Sequence, residues 1–328
     1  GLTPGRKGAI ERCLAWVVSH QDADGAWGGI QPPWIYSLMA LRAEDYELTH
    51  PVMAAGLGAL DRHWAYERNG ARRIQASESP VWDTLLSVMA KQDCGVDYRK
   101  SVSMQLAVNW LLDQQVDEHG DWAVKAPNVE PGGWAFERAN VFYPDVDDTA
   151  VALTALGRLR GVYEQPARLE AALARARGWV LEMQSRNGGW AAFDKDNDNS
   201  LLTKIPFCDF GEALDPPSAD VTAHVVEGLS VLGEPRNTPA LKRALDYLFN
   251  EQEADGTWFG RWGVNHIYGT AAVLPALQAA GEDMSSMRSR RAAAWVANCQ
   301  NDDGGWGETP ASYMDPRLRG RGDSTPSQ

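Results

Sequence analysis

The chain is poor in the features that most readily betray a function. Its four cysteines, Cys13, Cys94, Cys208 and Cys299, lie far apart with no CxxC pair, which leaves zinc and dithiol redox motifs unsupported and reduced thiols the default. Positive charge is scarce. The 31 Lys and Arg against 44 Asp and Glu leave a net charge of −13, the wrong sign for a nucleic-acid partner, which needs a basic face to displace counterions. No apolar run approaches ~18 residues, so no membrane-spanning helix is expected, and no signal-peptide pattern opens the chain. Strand alternation is also missing: no stretch of four to eight residues shows convincing period-two patterning. The run Asp194-Lys195-Asp196-Asn197-Asp198 invites calcium, but an EF-hand loop needs Gly and Glu where Asn199 and Ile205 stand, so it reads as a polar loop. No metal or cofactor is expected.

What is abundant is tryptophan, fourteen in 328 residues, enough to build core and to line an apolar site. Five of them close a repeat made of an apolar helical stretch, a Gln, a short polar turn and Gly-x-Trp. The copies end in Gln21…Gly25-Ala26-Trp27, Gln115…Gly120-Asp121-Trp122, Gln184…Gly188-Gly189-Trp190, Gln252…Gly256-Thr257-Trp258 and Gln300…Gly304-Gly305-Trp306. Glycine suits the left-handed residue that ends a helix, tryptophan folds back as an apolar anchor, and the Gln amide can bond exposed backbone groups. A second helix start follows four of the loops, at Ile35-Tyr36-Ser37, Asp147-Asp148-Thr149, Asp220-Val221-Thr222 and Tyr268-Gly269-Thr270, and Trp82-Asp83-Thr84 fits the same frame. Alternating helices with a regular period predict an all-α protein of stacked hairpins, arranged as a solenoid or a closed toroid. In such a frame Ile35, Trp82, Asp147, Asp220 and Tyr268 occupy equivalent positions and face one central space.

Chemistry is concentrated at Tyr143-Pro144-Asp145-Val146-Asp147-Asp148-Thr149. By itself an acidic triplet here reads as a helix N-terminus, where carboxylates accept backbone amides. Three carboxylates within four residues also repel one another, which favours keeping at least one protonated when buried. Asp220 and His224 stand four apart and share a helix face; an imidazolium there can hydrogen-bond and orient an acid. Arg317, Arg319 and Arg321 read as solvated loop charges.

The stretch GGWAFERANVFYPDVDDTAVAL (132–153) resembles the catalytic segment of squalene–hopene cyclases. Gln31-Pro32-Pro33-Trp34, Ser79-Pro80-Val81-Trp82-Asp83-Thr84, IPFCDFGEALDPPSADVTAHV (205–225), Arg261-Trp262-Gly263-Val264-Asn265 and Ser324-Thr325-Pro326-Ser327-Gln328 belong to the same set, as do the Gln/Trp loops. The resemblance runs through the whole chain but covers only about the middle half of a family member.

This resemblance implies an (α/α) toroid, incomplete at both ends, with residues 1–70 closing a first toroid and 71–328 forming a second, catalytic barrel. The boundary is expected in the polar stretch near 66–76. It implies Asp147 as proton donor, flanked by Asp145 and Asp148 and held acidic by His224 with Asp220. Trp82, Phe136, Phe193, Trp262 and Tyr268 match aromatics that stabilise successive carbocations, and Gln31 and Tyr36 match polar residues where the cascade ends. Phe193 stands where some relatives carry tyrosine, keeping the ring without its hydroxyl, and His266 replaces a usual tyrosine. The implied reaction is polycyclisation of squalene to hopene or hopanol for hopanoid biosynthesis, without a cofactor. A class II cyclase of another linear polyprene or of a diterpenoid diphosphate is the alternative. A prenyltransferase subunit or binding toroid is a third, lacking a convincing zinc constellation. The implied partners are an apolar polyprene and a membrane lipid surface, placing the protein monotopically on the cytoplasmic side of the bacterial inner membrane; dimerisation stays open. The chain begins without Met, and Ser324-Thr325-Pro326 reads as a cap and first turn of a helix without a body, so this piece alone is expected to be inactive.

Overall fold

A computed structural model describes residues 5–137, 143–201, 204 and 214–324, the side chain of His63 excepted. The Cys208 position, residues 205–213 of the quoted catalytic-family stretch and the closing Thr325–Gln328 lie outside that set. The protein is all-α. The helices are α1 (Arg6–Ser19), α2 (Gln31–Ala43), α3 (Pro51–Ala59), α4 (Pro80–Asp93), α5 (Val102–Asp113), α6 (Val146–Gly157), α7 (Pro166–Glu182), α8 (Ala219–Val231), α9 (Pro239–Glu251), α10 (His266–Ala279) and α11 (Met287–Asn298). Proline stands at the first helical position of α3, α4, α7 and α9. Its missing N–H costs nothing there and its fixed φ suits the first turn.

The helices form two layers. Inner helices α4, α6, α8 and α10 pack side by side in that order, and outer helices α5, α7, α9 and α11 each lie against one of them. Sequence pattern decides the layer. Outer α9 buries Leu241, Ala244, Leu245, Tyr247 and Leu248 along one side and exposes Lys242, Arg243, Asp246, Asn250 and Glu251 on the other. Inner α6, VDDTAVALTALG, is apolar or small nearly all round and every one of its residues is buried. The first three helices build a separate, smaller core from Trp27, Trp34, Leu41, Met53 and Trp64, whereas the larger core runs from Val81 to Ala292.

The Gln/Trp loops stitch the layers. Gln21 donates through Nε2 to the carbonyls of Gly25 (3.0 Å) and Val52 (2.9 Å), Gln184 to Gly188 (2.8 Å) and Ala240 (3.0 Å), and Gln252 to Gly256 (2.8 Å) and Arg288 (3.4 Å). Each thereby ties its own turn to the next outer helix. The loop glycines Gly25, Gly188, Gly256 and Gly304 have φ between 85° and 99°, which a side chain would resist. The indoles of Trp27, Trp190, Trp258 and Trp306 donate to the carbonyl four residues before the Gln, at 2.8, 2.7, 2.6 and 2.8 Å.

The second loop departs from expectation. Its anchor is Trp134, not Trp122: the Trp134 indole donates to Leu111 O at 2.6 Å, and Gln115 reaches Gly132 O at 2.8 Å and Ala172 O at 2.9 Å. Gly120-Asp121-Trp122 instead opens a 3-10 turn, Asp121–Val124. Trp122 packs edge-on against Trp179, 5.8 Å between ring centroids. An insertion carries the true Gly132-Gly133-Trp134 terminus further along the chain, and the first Gly-x-Trp after the Gln is a decoy.

Short strands also occur where none were expected. β1 (Ala65–Arg68) and β2 (Ala71–Ile74) pair antiparallel, Ala65 opposite Ile74, across the polar stretch read as a boundary. Asn69 and Gly70 both have positive φ, 54° and 73°, as a two-residue hairpin turn requires. β3 (Trp134–Ala135) pairs with β4 (Pro144–Asp145), setting Trp134 opposite Asp145.

Candidate active site

Three threonines fix the phase of the inner helices. Thr149, Thr222 and Thr270 accept, through Oγ1, the backbone N–H of Trp134 (2.9 Å), Trp190 (2.9 Å) and Trp258 (3.1 Å). Each loop is thus locked to the helix that follows it. The position two residues earlier, Asp147, Asp220 or Tyr268, is set by the same bond.

Asp145 caps α6, accepting the Asp148 N–H at 2.7 Å, while its own carbonyl takes the Thr149 hydroxyl at 2.6 Å. Burial, only partly offset by the Asp148 amide, lifts the Asp145 carboxyl to about 8. Burial and then the Asp145 charge push Asp148 well above the ordinary carboxylate range. One oxygen of each, Asp145 Oδ2 and Asp148 Oδ1, is buried without a partner, as suits carboxyls held neutral.

Asp147, one turn-start further in, meets His224 from α8. Its Oδ1 lies 2.5 Å from His224 Nδ1, across 77 residues of sequence. Burial pulls the imidazolium down, but the carboxylates of Asp147, Asp220 and Glu227 outweigh it and lift His224 to about 9. When it carries its second proton, the ring donates from Nδ1 to Asp147 Oδ1.

Aromatic rings flank this pair. Trp82 on α4 lies 6.1 Å from the His224 ring. Trp82, His224 and Tyr268, with Leu86, Val151 and Ala272, line a cavity of about 200 Å³ between the inner helices. Burial, reinforced by Asp147 and Asp220, pushes the Tyr268 phenol far above its usual range, so the ring carries no charge. Phe193 meets Trp262 edge to face at 5.8 Å.

Not every expected residue joins the cluster. Asp220 is fully buried, but its Oδ2 accepts the Arg261 (2.9 Å) and Trp262 (2.8 Å) amides. It reaches His224 by charge, not by any hydrogen bond found among the described residues. Phe136 is half-buried just past β3. Gln31 and Tyr36 lie on α2 in the smaller region: Gln31 donates to Gln75 O at 2.8 Å, and Tyr36 is 68% exposed. Neither contacts the acidic cluster among the described residues.

Other residues at the site were not legible beforehand. Asp215, in Leu214-Asp215-Pro216-Pro217, brackets the Phe193 loop, and Glu308 accepts the Asn265 (3.3 Å) and Ile267 (2.8 Å) amides at the start of α10. Both act from far along the chain, and only the pairing partner reveals them. His266 is buried against Thr257 Oγ1 at 3.1 Å. The Asp194–Asp198 run is a loop whose Asn197 donates to Asp194 Oδ2 at 2.8 Å. Among the described residues no group of three or more His, Cys, Asp or Glu could hold a metal ion, and no helix is long and apolar enough to cross a membrane.

The model of the squalene-hopene cyclase C-terminal domain matches residues 78–328, and that of the N-terminal domain matches 1–69. The squalene–hopene cyclase of Alicyclobacillus acidocaldarius is 49% identical over 327 residues, covering 99% of this chain and 51% of that protein. The Zymomonas mobilis squalene–hopene cyclase is 41% identical over 314 residues, 94% of this chain and 48% of that protein. A type II terpene cyclase structure from Scytonema aligns with a TM-score of 0.45 and 18% identity over 93% of this chain and 66% of that one, a likeness too distant to bear on activity. The chain spans about half the length of the curated relatives it matches. With matched family domains over nearly all its residues, and the DVDD acid seated on a histidine from the neighbouring inner helix, the chain belongs to the squalene–hopene cyclase family.

Proposed function

We propose that the complete protein polycyclises squalene to hopene or hopanol, with Asp147 as the acid that starts the cascade. The observation that carries the reading is the part-buried Asp147–His224 contact at 2.5 Å, beside neutral-leaning Asp145 and Asp148. An isolated alkene is a very weak base. Its protonation needs a strong acid in a dry site, whose conjugate base is stabilised as the proton leaves. His224 supplies that stabilisation on Oδ1, leaving Oδ2 to carry the reactive proton.

The step balances simply. The terminal π pair takes the proton from Asp147, the O–H pair stays on the carboxylate, and a tertiary carbocation forms. The π pair of the next double bond closes a ring onto it, and so onward. The last cation gives up a proton to water, its C–H pair becoming the new double bond of hopene, or it takes up water, which then sheds a proton to a second water to leave hopanol. Each aromatic face attracts the moving cation by about 0.5–2 kcal/mol without trapping it covalently. Trp82, Phe136, Phe193, Trp262 and Tyr268 are assigned that role, with Gln31 and Tyr36 at the terminating end.

Residues 1–70 are assigned to a first α-toroid and 71–328 to the second, an assignment supported by the two separate hydrophobic cores and the hairpin between them. Because squalene dissolves in bilayers and not in water, the complete protein is placed peripherally on the cytoplasmic face of the inner membrane.

The test is a chimera in which this chain replaces the matching half of the Alicyclobacillus acidocaldarius cyclase. Squalene conversion followed by gas chromatography is expected, and Asp147→Asn should lower it by about 10²–10⁴-fold, the usual worth of a general acid. Unchanged product formation by Asp147→Asn removes the mechanism. Turnover of geranylgeranyl diphosphate in place of squalene favours the diterpenoid alternative.

A further inference from the structure

Two buried aspartates, five residues apart, perform the same task on two neighbouring loops. Asp220 Oδ2 accepts the amides of Arg261 and Trp262 at 2.9 and 2.8 Å. Asp215 Oδ2 accepts those of Phe193 and Asp194 at 2.6 and 2.9 Å. Asp215 lies just before α8 and Asp220 in its first turn, so one short segment sets both backbones. The two loops carry Phe193, three residues beyond Trp190, and Trp262, four beyond Trp258. Their rings meet edge to face at 5.8 Å and 74°.

The arrangement is costly enough to need a reason. Asp215 is buried, and its Oδ1 has no partner. Burial pushes its carboxyl up although the Phe193 and Asp194 amides and the Arg261 charge pull it down. An apolar residue would avoid that penalty but could not hold two amides that point inward. Phe193 is only half-buried, so packing alone does not fix its ring.

We infer that Asp215 is a positioning residue: by accepting the Phe193 and Asp194 amides it seats the Phe193 ring against Trp262 and thereby sets which carbocation this face of the chamber stabilises. It touches no reacting atom. The inference rests on the polycyclisation reading and refines it. Cation–π attraction weakens beyond ~6 Å from the ring centroid, so a small shift of the loop suffices to expose a cation to early deprotonation.

In the chimera, Asp215→Ala is expected to keep most squalene consumption but raise incompletely cyclised products several-fold. Asp215→Asn, which still offers one oxygen to both amides, should restore the parent pattern. Added to Phe193→Ala, Asp215→Ala should change nothing further, because it acts through that ring. In the chain itself, hydrogen exchange at the Phe193 and Asp194 amides should speed at least tenfold in Asp215→Ala and stay slow in Asp215→Asn. If Asp215→Ala fails to fold, Asp215→Ser, too short to reach both amides, is read in its place. A folded Ala or Ser variant with parent products and parent exchange overturns the inference, as does an Asn variant no better than Ala. A chimera that leaves squalene unconverted overturns the functional reading instead, and the exchange experiment then still decides the bracket.

Discussion

Helices α2 and α6 occupy the same place in the repeat, yet they live in different surroundings. All twelve residues of α6 are buried, whereas α2 buries only Trp34 and Leu41. The frame positions match: Ile35-Tyr36-Ser37 on α2, Asp147-Asp148-Thr149 on α6. On α2 the side chain equivalent to Asp147 is Ile35, 39% exposed. On α6, which packs against α4, α7 and α8, Asp147 is 8% exposed and meets His224. A repeat sets where a side chain points. Its neighbours on both sides decide whether that direction leads to water or to a partner side chain.

The sharpest way to break this contrast is to remove the neighbour. His224→Ala in the chimera leaves Asp147 without its cationic donor; a hydrogen bond to a charged group is worth about 1.5–3 kcal/mol, so squalene conversion should fall about 10- to 100-fold. Conversion within twofold of the parent would mean that the histidine packs but does not tune the acid.

Next in size is the pH response of the isolated chain. Asp145 is lifted from 3.8 to about 8 and His224 from 6.5 to about 9, so the folded state holds both protons more tightly than the unfolded one. The stability from Asp145 is complete below about 4 and lost as pH rises through about 8; that from His224 is complete below 6.5 and lost through about 9. Asp22, in the loop before α2, is raised by burial to about 7 and contributes with the same sign. Thermal melting should therefore drop steadily from pH 5 to pH 9. Asp22→Asn should flatten the slope only up to about pH 7 and Asp145→Asn up to about pH 8, so the interval between them separates the two regions. A melting temperature that rises with pH over this range would reverse the assignment.

The smallest expected effect compares two glutamines that make the same pair of bonds. Gln184 is buried, and Gln21 is half-buried. Truncating Gln184 to Ala strands two dry carbonyls and the Arg243 donor and should cost about 1–3 kcal/mol; Gln21→Ala, which water can partly repair, should cost about 0.5–1.5 kcal/mol. Equal losses in denaturant titrations would show that burial does not distinguish the loops.

Much of this was legible from residues alone. The Gln and Trp spacing gave helical hairpins, and the Thr frame gave the shared face of Asp147, Asp220 and Tyr268. The acidic triplet and His224 gave candidates for one cluster. The loop after Gln115 misled because an insertion placed a false Gly-x-Trp ahead of Trp134, and only the partner carbonyl of Leu111 tells the two apart. The hairpin across Asn69-Gly70 was not foreseen, because its four-residue strands are too short for alternation to mark.

Local pattern by itself therefore determined the helices, their order and the clustering of carboxyls around Asp147, because periodicity and capping act over a few residues. Tertiary structure alone decided that His224 reaches Asp147 across 77 positions, and that Asp220, Asp215 and Glu308 hold backbone amides of other segments. The physical reason is that a buried carboxyl takes its behaviour from the donors and charges around it, and those arrive from helices distant in sequence.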